Sequence, residues 1–139
     1  MESGRAERRR EPATNRKVMA HILLAEDDES LRKFLCAALV KAGHTVTDFG
    51  DGAEAHECIK GLCAFDLLLT DIVMPGMDGI ELAKRAAELN GALKIMFITG
   101  FAAVALHPAS GAPKQAKVLS KPFHLREIVA EVDRMLAAA

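Results

Sequence analysis

"DLLLTDIVMPGMDG", residues 66–79, opens as an apolar run and places a carboxylate, Asp71, where that run stops. Leu67, Leu68 and Leu69 read as a strand buried on both faces. The helix that follows, over 78–89, opens on Asp78 with Glu81 three residues later, the spacing of a capping box. A strand apolar on both sides needs helices on both sides, which is the condition of a parallel sheet. The carboxylate at its end is the anomaly. Beside buried leucines it loses hydration, and its charge is held only where a cation or hydrogen-bond donors meet it.

The rest of the chain repeats the unit. "HILLA" (21–25) is a short apolar strand, and "SLRKFLCAALVKAG" (30–43) sets Leu31, Phe34, Leu35, Ala38, Leu39 and Ala42 on one helical face before Gly43 stops it. "TVTDF" (45–49) alternates as a strand with one wet side, and "DGAEAHECIKGL" (51–62) is a polar, amphipathic helix. "KIMFI" (94–98) and "KVLS" (117–120) supply two more strands. The last helix, "LREIVAEVDRML" (125–136), turns Leu125, Ile128, Val129, Val132 and Leu136 inward. The expected fold is an α/β domain over 19–139, doubly wound around a five-stranded parallel sheet. In such sheets ligands gather at the carboxyl ends of the strands.

Composition narrows the function. The chain has 139 residues, 50% hydrophobic, enough for one domain with a real core. A net charge of −1 gives no case for nucleic-acid binding. Residues 1–18 are polar and without periodicity, with Arg5, Arg8, Arg9, Arg10, Arg16 and Lys17 against Glu2, Glu7 and Glu11. They are expected to form a disordered basic arm, and Met19 is a second possible start. Cys36, Cys58 and Cys63 fit no metal spacing and read as reduced thiols that pack, in a cytoplasmic protein. No apolar run approaches the ~18 residues of a membrane span, and the N-terminus lacks the apolar stretch of a secretory signal.

The strand ends carry the chemistry. Strand one ends in Glu26, Asp27 and Asp28, strand three in Asp71, strand four in Thr99, and strand five in Ser120 and Lys121. Carboxylates crowded on one edge repel one another, and a hard divalent cation with oxygen ligands, Mg²⁺, relieves that. With the ammonium of Lys121 and the hydroxyl of Thr99, the cluster would stabilise an incoming phosphoryl group while Asp71 attacks in line. Taken singly, each residue has a plainer reading: an acid capping a helix, a threonine closing a loop, a lysine in solvent. Agreement among the strand ends is what favours the site.

These residues also carry a family resemblance. "ILLAEDDESLR", "LLLTDIVMPGMDG", "FITGF" and "LSKPF" resemble the receiver domains of two-component response regulators, in order and separation as well as residue type. The resemblance runs from Ala20 to about Leu136 and implies a flavodoxin-like (βα)₅ fold. It implies that Asp71 is the phosphorylated aspartate, that Asp27 binds Mg²⁺ directly with Glu26 acting through water, and that Val73 offers its backbone carbonyl to the metal. It makes Thr99 the switch hydroxyl, Gly100 the small residue after it, Lys121 the phosphate-pairing lysine and Lys121–Pro122 a cis peptide. The expected donor is a phosphohistidine on a histidine kinase or histidine phosphotransferase.

One departure concerns the switch. Many receivers carry Tyr or Phe three residues before that lysine, whereas Val118 stands here and the chain has no Tyr or Trp. The segment "FAAVALHPASGAPKQ" (101–115) is expected to hold a short, mobile fourth helix, because Pro108, Gly111 and Pro113 suit a helix interior poorly. Its Phe101 and Val104 then become the candidate output surface.

Only three alanines follow Leu136, so the expectation is a single-domain regulator whose output is binding. "FITGFAAVAL" and "VLSKPFHLRE" most resemble the CpdR-type single-domain regulators of alphaproteobacteria. That resemblance implies a protease adaptor. Its unphosphorylated form would engage the AAA+ unfoldase ClpX of ClpXP, and phosphorylation would end the engagement. The alternative is a phosphate shuttle within a phosphorelay. A haloacid-dehalogenase-type phosphatase is disfavoured, because Val73 stands where its second aspartate would act. A flavodoxin is disfavoured by acids where flavin phosphate needs donors.

Overall fold

The computed structural model describes residues 19–61 and 64–138. Five strands, β1 (His21–Ala25), β2 (Thr45–Phe49), β3 (Leu67–Thr70), β4 (Lys94–Thr99) and β5 (Lys117–Ser120), form one sheet in the order β2-β1-β3-β4-β5. Every pairing is parallel. Five helices connect and cover the strands: α1 (Glu29–Lys41), α2 (Gly52–Lys60), α3 (Gly79–Leu89), α4 (Ala102–Leu106) and α5 (Leu125–Ala137). The winding reverses between β1 and β3, where this class of sheet opens a crevice.

Side-chain alternation along the strands builds two cores. Leu23, Ala25, Leu68, Ile95 and Phe97 pack against Ala55 of α2, Leu82, Ala83 and Ala86 of α3, and Ala105 of α4. Ile22, Leu24, Leu67, Leu69, Met96 and Ile98 pack on the opposite face against Leu35 and Leu39 of α1 and Ile128 and Val132 of α5. Burying one such leucine contributes about 1.5–3 kcal/mol, so the three consecutive leucines of β3, shared between both cores, hold that strand firmly in place.

Local signals differ from the expectation at Phe34 and at the α3 cap. Phe34 was expected inside and is 62% exposed. The buried stripe of α1 is Leu35 and Leu39, four residues apart, and Phe34 lies a step of the helix away from it. The capping box at α3 is half made: Asp78 accepts from the Glu81 N–H at 2.9 Å, but the Glu81 side chain turns to Arg85 and Lys84. The segment 101–115 holds only the five-residue α4 and a 3-10 turn, Pro108–Ser110, closed by Gly111 at a φ of 81°. Residues 1–18 and Cys63 lie outside the described residues. Cys36 is a half-buried thiol, and Cys58 packs partly buried against the α2–α3 core. Among the described residues no helix is long and apolar enough to cross a membrane.

The loops before α2 and α3 approach too closely for any side chain between them. Gly52 N–H donates to the Pro75 carbonyl at 3.1 Å, and a Cβ on Gly52 would stand 1.8 Å from the Met77 carbonyl oxygen. Gly52→Ala should therefore lower stability by about 2–3 kcal/mol. Gly91→Ala, whose Cβ meets nothing within 4 Å, should stay within about 0.5 kcal/mol. Urea unfolding followed by far-ultraviolet circular dichroism measures both.

Candidate functional site

Register brings the strand-end residues together. Ala25 pairs with Phe49 on one side and with Thr70 on the other, so Glu26 and Asp71 leave the sheet in the same row. Glu26 N–H donates to the Phe49 carbonyl and Asp71 N–H to the Ala25 carbonyl, both at 3.0 Å. Thr99 pairs with Ser120, and Lys121 N–H donates to the Thr99 carbonyl at 2.8 Å. That last bond delivers Lys121 to the same edge. The Lys121–Pro122 peptide is cis.

Asp71 is buried and well met. Its Oδ1 accepts from the Ile72 N–H at 2.6 Å, and its Oδ2 receives Lys121 Nζ at 2.8 Å. Lys121 Nζ also lies 3.4 Å from Glu26 Oε1, while Glu26 Oε2 accepts from the Asp28 N–H at 3.0 Å. The three acids after β1 divide their work. Asp28 caps α1 by accepting from the Leu31 N–H at 3.0 Å. Glu26 is buried and Asp27 exposed, and one oxygen from each joins one from Asp71 within 4.8 Å of one another. An oxygen-only set of three carboxylates is the donor chemistry that suits a hard divalent ion such as Mg²⁺.

Burial is the largest influence on the Glu26 carboxyl. Desolvation raises its pKa, and the Asp71 charge adds to this, against the Asp28 N–H and the ammonium of Lys121, which favour the carboxylate. The net direction is upward, so burial wins. For Lys121, burial works to lower the pKa. The hydrogen bond to Asp71 and the charges of Glu26 and Asp71 outweigh it, and the ammonium is held above its ordinary value. The pocket is thus carboxylate-rich and supplied with one firmly charged cation.

The other expected residues lie at the following places. Thr99 is buried, and its Oγ1 accepts from the Phe101 N–H at 2.9 Å, so its hydroxyl also closes the loop, as the plainer reading holds. Val73, two residues beyond Asp71, turns its side chain to solvent, and Gly100 and Pro122 are exposed. Phe101 and Val104 are 55% and 49% exposed, and Leu106 beside them is 68% exposed. Val118 is half-buried against the α2–α3–α4 core rather than free at the surface. Two contributors had no role in the sequence reading. The Thr70 hydroxyl donates to the Asp71 carbonyl at 2.7 Å. Arg32, though part of the "EDDESLR" motif, donates from Nη1 to the Glu26 carbonyl at 2.8 Å, a long-side-chain contact that no spacing rule announces.

Residues 22–133 match the family model of the response regulator receiver domain, and the chain belongs to that family. Receiver domains are regulatory modules and bind Mg²⁺ at an acidic pocket, which the Glu26, Asp27 and Asp71 cluster fits. Among relatives, the chain is 64% identical over 121 residues to the response regulator receiver protein CpdR of Brucella abortus (strain 2308), covering 87% of this chain and 100% of that one. It is 35% identical over 133 residues to the sensor kinase CckA of the same organism, covering 94% of this chain but 14% of the kinase. Among solved structures, a response regulator receiver protein from Sinorhizobium medicae WSM419 superposes with a TM-score of 0.79 at 33% identity, covering 86% of this chain and 96% of that one.

The raised pKa of Glu26 carries a sign. An acid whose folded pKa is raised stabilises the fold below its unfolded pKa, and that stability is lost as pH rises through the folded value. Glu26→Gln should therefore raise the Tm of the metal-free protein by roughly a few degrees at neutral pH, and the difference should close as pH falls below the ordinary carboxylate range. The same variant should lose most of the Tm gain that Mg²⁺ confers. Thermal melts in EDTA and in Mg²⁺ across pH measure both.

Proposed function

We propose that this chain is a stand-alone, cytoplasmic two-component response regulator whose Asp71 accepts a phosphoryl group, and whose phosphorylation switches binding to a partner. The carrying observation is Asp71 held at the sheet edge by Lys121 Nζ at 2.8 Å, within reach of the Glu26 and Asp27 oxygens. An Asp71 oxygen attacks phosphorus of a phosphohistidine on a histidine kinase or histidine phosphotransferase. The P–O bond forms as the P–N bond breaks, and the electron pair leaves with the imidazole nitrogen. Lys121 neutralises charge on the phosphoryl oxygens. Asp27, Asp71 and the Val73 carbonyl would hold Mg²⁺ directly and Glu26 would act on it through water, and the ion would supply further positive charge there. The similarity to the sensor kinase CckA supports a donor within a phosphorelay.

The switch begins at Thr99, whose hydroxyl leaves off accepting from the Phe101 N–H and donates to a phosphoryl oxygen, with Gly100 leaving room for the movement. Phe101 and Val104 on the short α4 then change their presentation, with Val118 as a small, immobile neighbour where an aromatic side chain would swing. The similarity to CpdR over its whole length supports the finer reading, a ClpXP protease adaptor that engages the unfoldase ClpX while unphosphorylated.

Asp71→Ala should abolish phosphoryl transfer from a cognate donor and keep the Tm within a few degrees of the native chain. Labelling that persisted in this variant would remove Asp71 as acceptor. The native chain should bind purified ClpX and lose that binding with Mg²⁺ and beryllofluoride present. Rapid transfer to a histidine phosphotransferase with no ClpX binding in either state would make it a shuttle. Phe101→Ala should weaken ClpX binding about tenfold, which is about 1.4 kcal/mol, at an unchanged phosphorylation rate; equal loss of both would remove α4 as the output surface.

A further inference from the structure

Asp27 is the exposed member of the acidic cluster, and among the described residues no hydrogen-bond donor meets its carboxylate. Its placement therefore depends on the backbone that carries it. That backbone is bracketed. On one side the Glu26 N–H donates to the Phe49 carbonyl at 3.0 Å. On the other, the Glu26 carbonyl, part of the peptide unit that joins Glu26 to Asp27, accepts from Arg32 Nη1 at 2.8 Å.

Arg32 is itself fixed from several directions. Its side chain is 19% exposed, and Nε pairs with Asp48 Oδ2 at 3.1 Å. Its backbone N–H donates to the Asp28 carbonyl at 2.8 Å. One arginine in the first turns of α1 thus ties the acidic loop to the end of β2. Gly50, just beyond β2, leaves the space this requires: a Cβ there would stand 2.7 Å from Arg32 Nη1. Its φ is not in the left-handed region, so backbone conformation does not demand glycine at this place. A part-exposed ion pair with Asp48 alone contributes little and would need neither the Glu26 carbonyl nor the gap at Gly50.

The geometry points to Arg32 as the positioning residue of the acidic pocket: it holds the Glu26–Asp27 peptide unit in the orientation that presents Asp27 to a divalent cation. This rests on the reading of the pocket as a Mg²⁺ site, and it adds what sets that site's geometry. The sign of the effect separates positioning from charge. A guanidinium near a metal site repels the ion, so by Coulomb's law alone its removal would tighten Mg²⁺ binding. Loss of a positioning contact weakens it, commonly by ten- to a hundredfold for groups that orient metal ligands.

The test is calorimetric titration of the full chain with Mg²⁺, with the metal-free Tm measured alongside. Arg32→Ala should weaken Mg²⁺ binding about tenfold. Arg32→Lys should weaken it several-fold, because an ammonium keeps the charge but lacks the fork that reaches Asp48 and the Glu26 carbonyl together. Gly50→Ala should weaken it in the native background and add nothing in the Arg32→Ala background, where the guanidinium it displaces is gone. Native protein that binds Mg²⁺ while Arg32→Ala binds it equally or more tightly would overturn the positioning role and leave the pocket standing. Native protein that binds no Mg²⁺ would overturn both. Should Arg32→Ala fail to fold, Gly50→Ala decides the matter: unchanged Mg²⁺ affinity there would overturn the proposal.

Discussion

Lys121 lets two buried carboxylates face each other at the edge of an apolar sheet. Its ammonium, 2.8 Å from Asp71 and 3.4 Å from Glu26, is the only side-chain cation that meets either group among the described residues. Without it, Glu26, already pushed toward its protonated form by burial, would have only the Asp28 N–H in its favour. Two like charges in a shared low-dielectric site do not both persist. The pairing leaves the pocket rich in carboxylates yet supplied with one fixed positive charge.

The sheet makes that meeting possible. Residues 26, 71 and 121 come from the ends of three strands far apart in sequence, and they converge because parallel pairing starts every strand from the same side. The leucines of β3 are shared between two cores, so the strand that carries Asp71 is anchored on both faces. Rigidity beneath the site contrasts with what lies beside it. The fourth helix has five residues, ends in a proline-led turn and exposes Phe101, Val104 and Leu106. A platform anchored on both faces thus stands next to a short helix whose apolar side chains face solvent.

Val118 gives that arrangement its character. A half-buried valine in β5 packs against the core and has little rotational freedom to offer. Thr99 is tied to the residues after it through the 99–101 backbone, where its hydroxyl accepts from the Phe101 N–H. The same logic operates on the opposite side of the pocket. There Arg32 and the loops around Gly50 and Gly52 join the ends of β1 and β2 to the loop that follows β3.

The sequence by itself determined the order of strands and helices, the buried character of β1, β3 and β4, and the identity of Glu26, Asp27, Asp71, Thr99 and Lys121 as strand-end residues. These rest on periodicity and on where apolar runs stop, which are local properties. Tertiary structure decided the rest. It sent Glu81 to Arg85 and Lys84 instead of the α3 cap, left Phe34 in solvent beside a narrow buried stripe, and split the acidic triplet into two pocket residues and the helix-capping Asp28. It also placed Arg32 against the Glu26 carbonyl and left room for it at Gly50. A long side chain has several rotamers and several partners within reach. Which one it takes is set by neighbours distant in the chain, so no pattern of residue types along the sequence carries that choice.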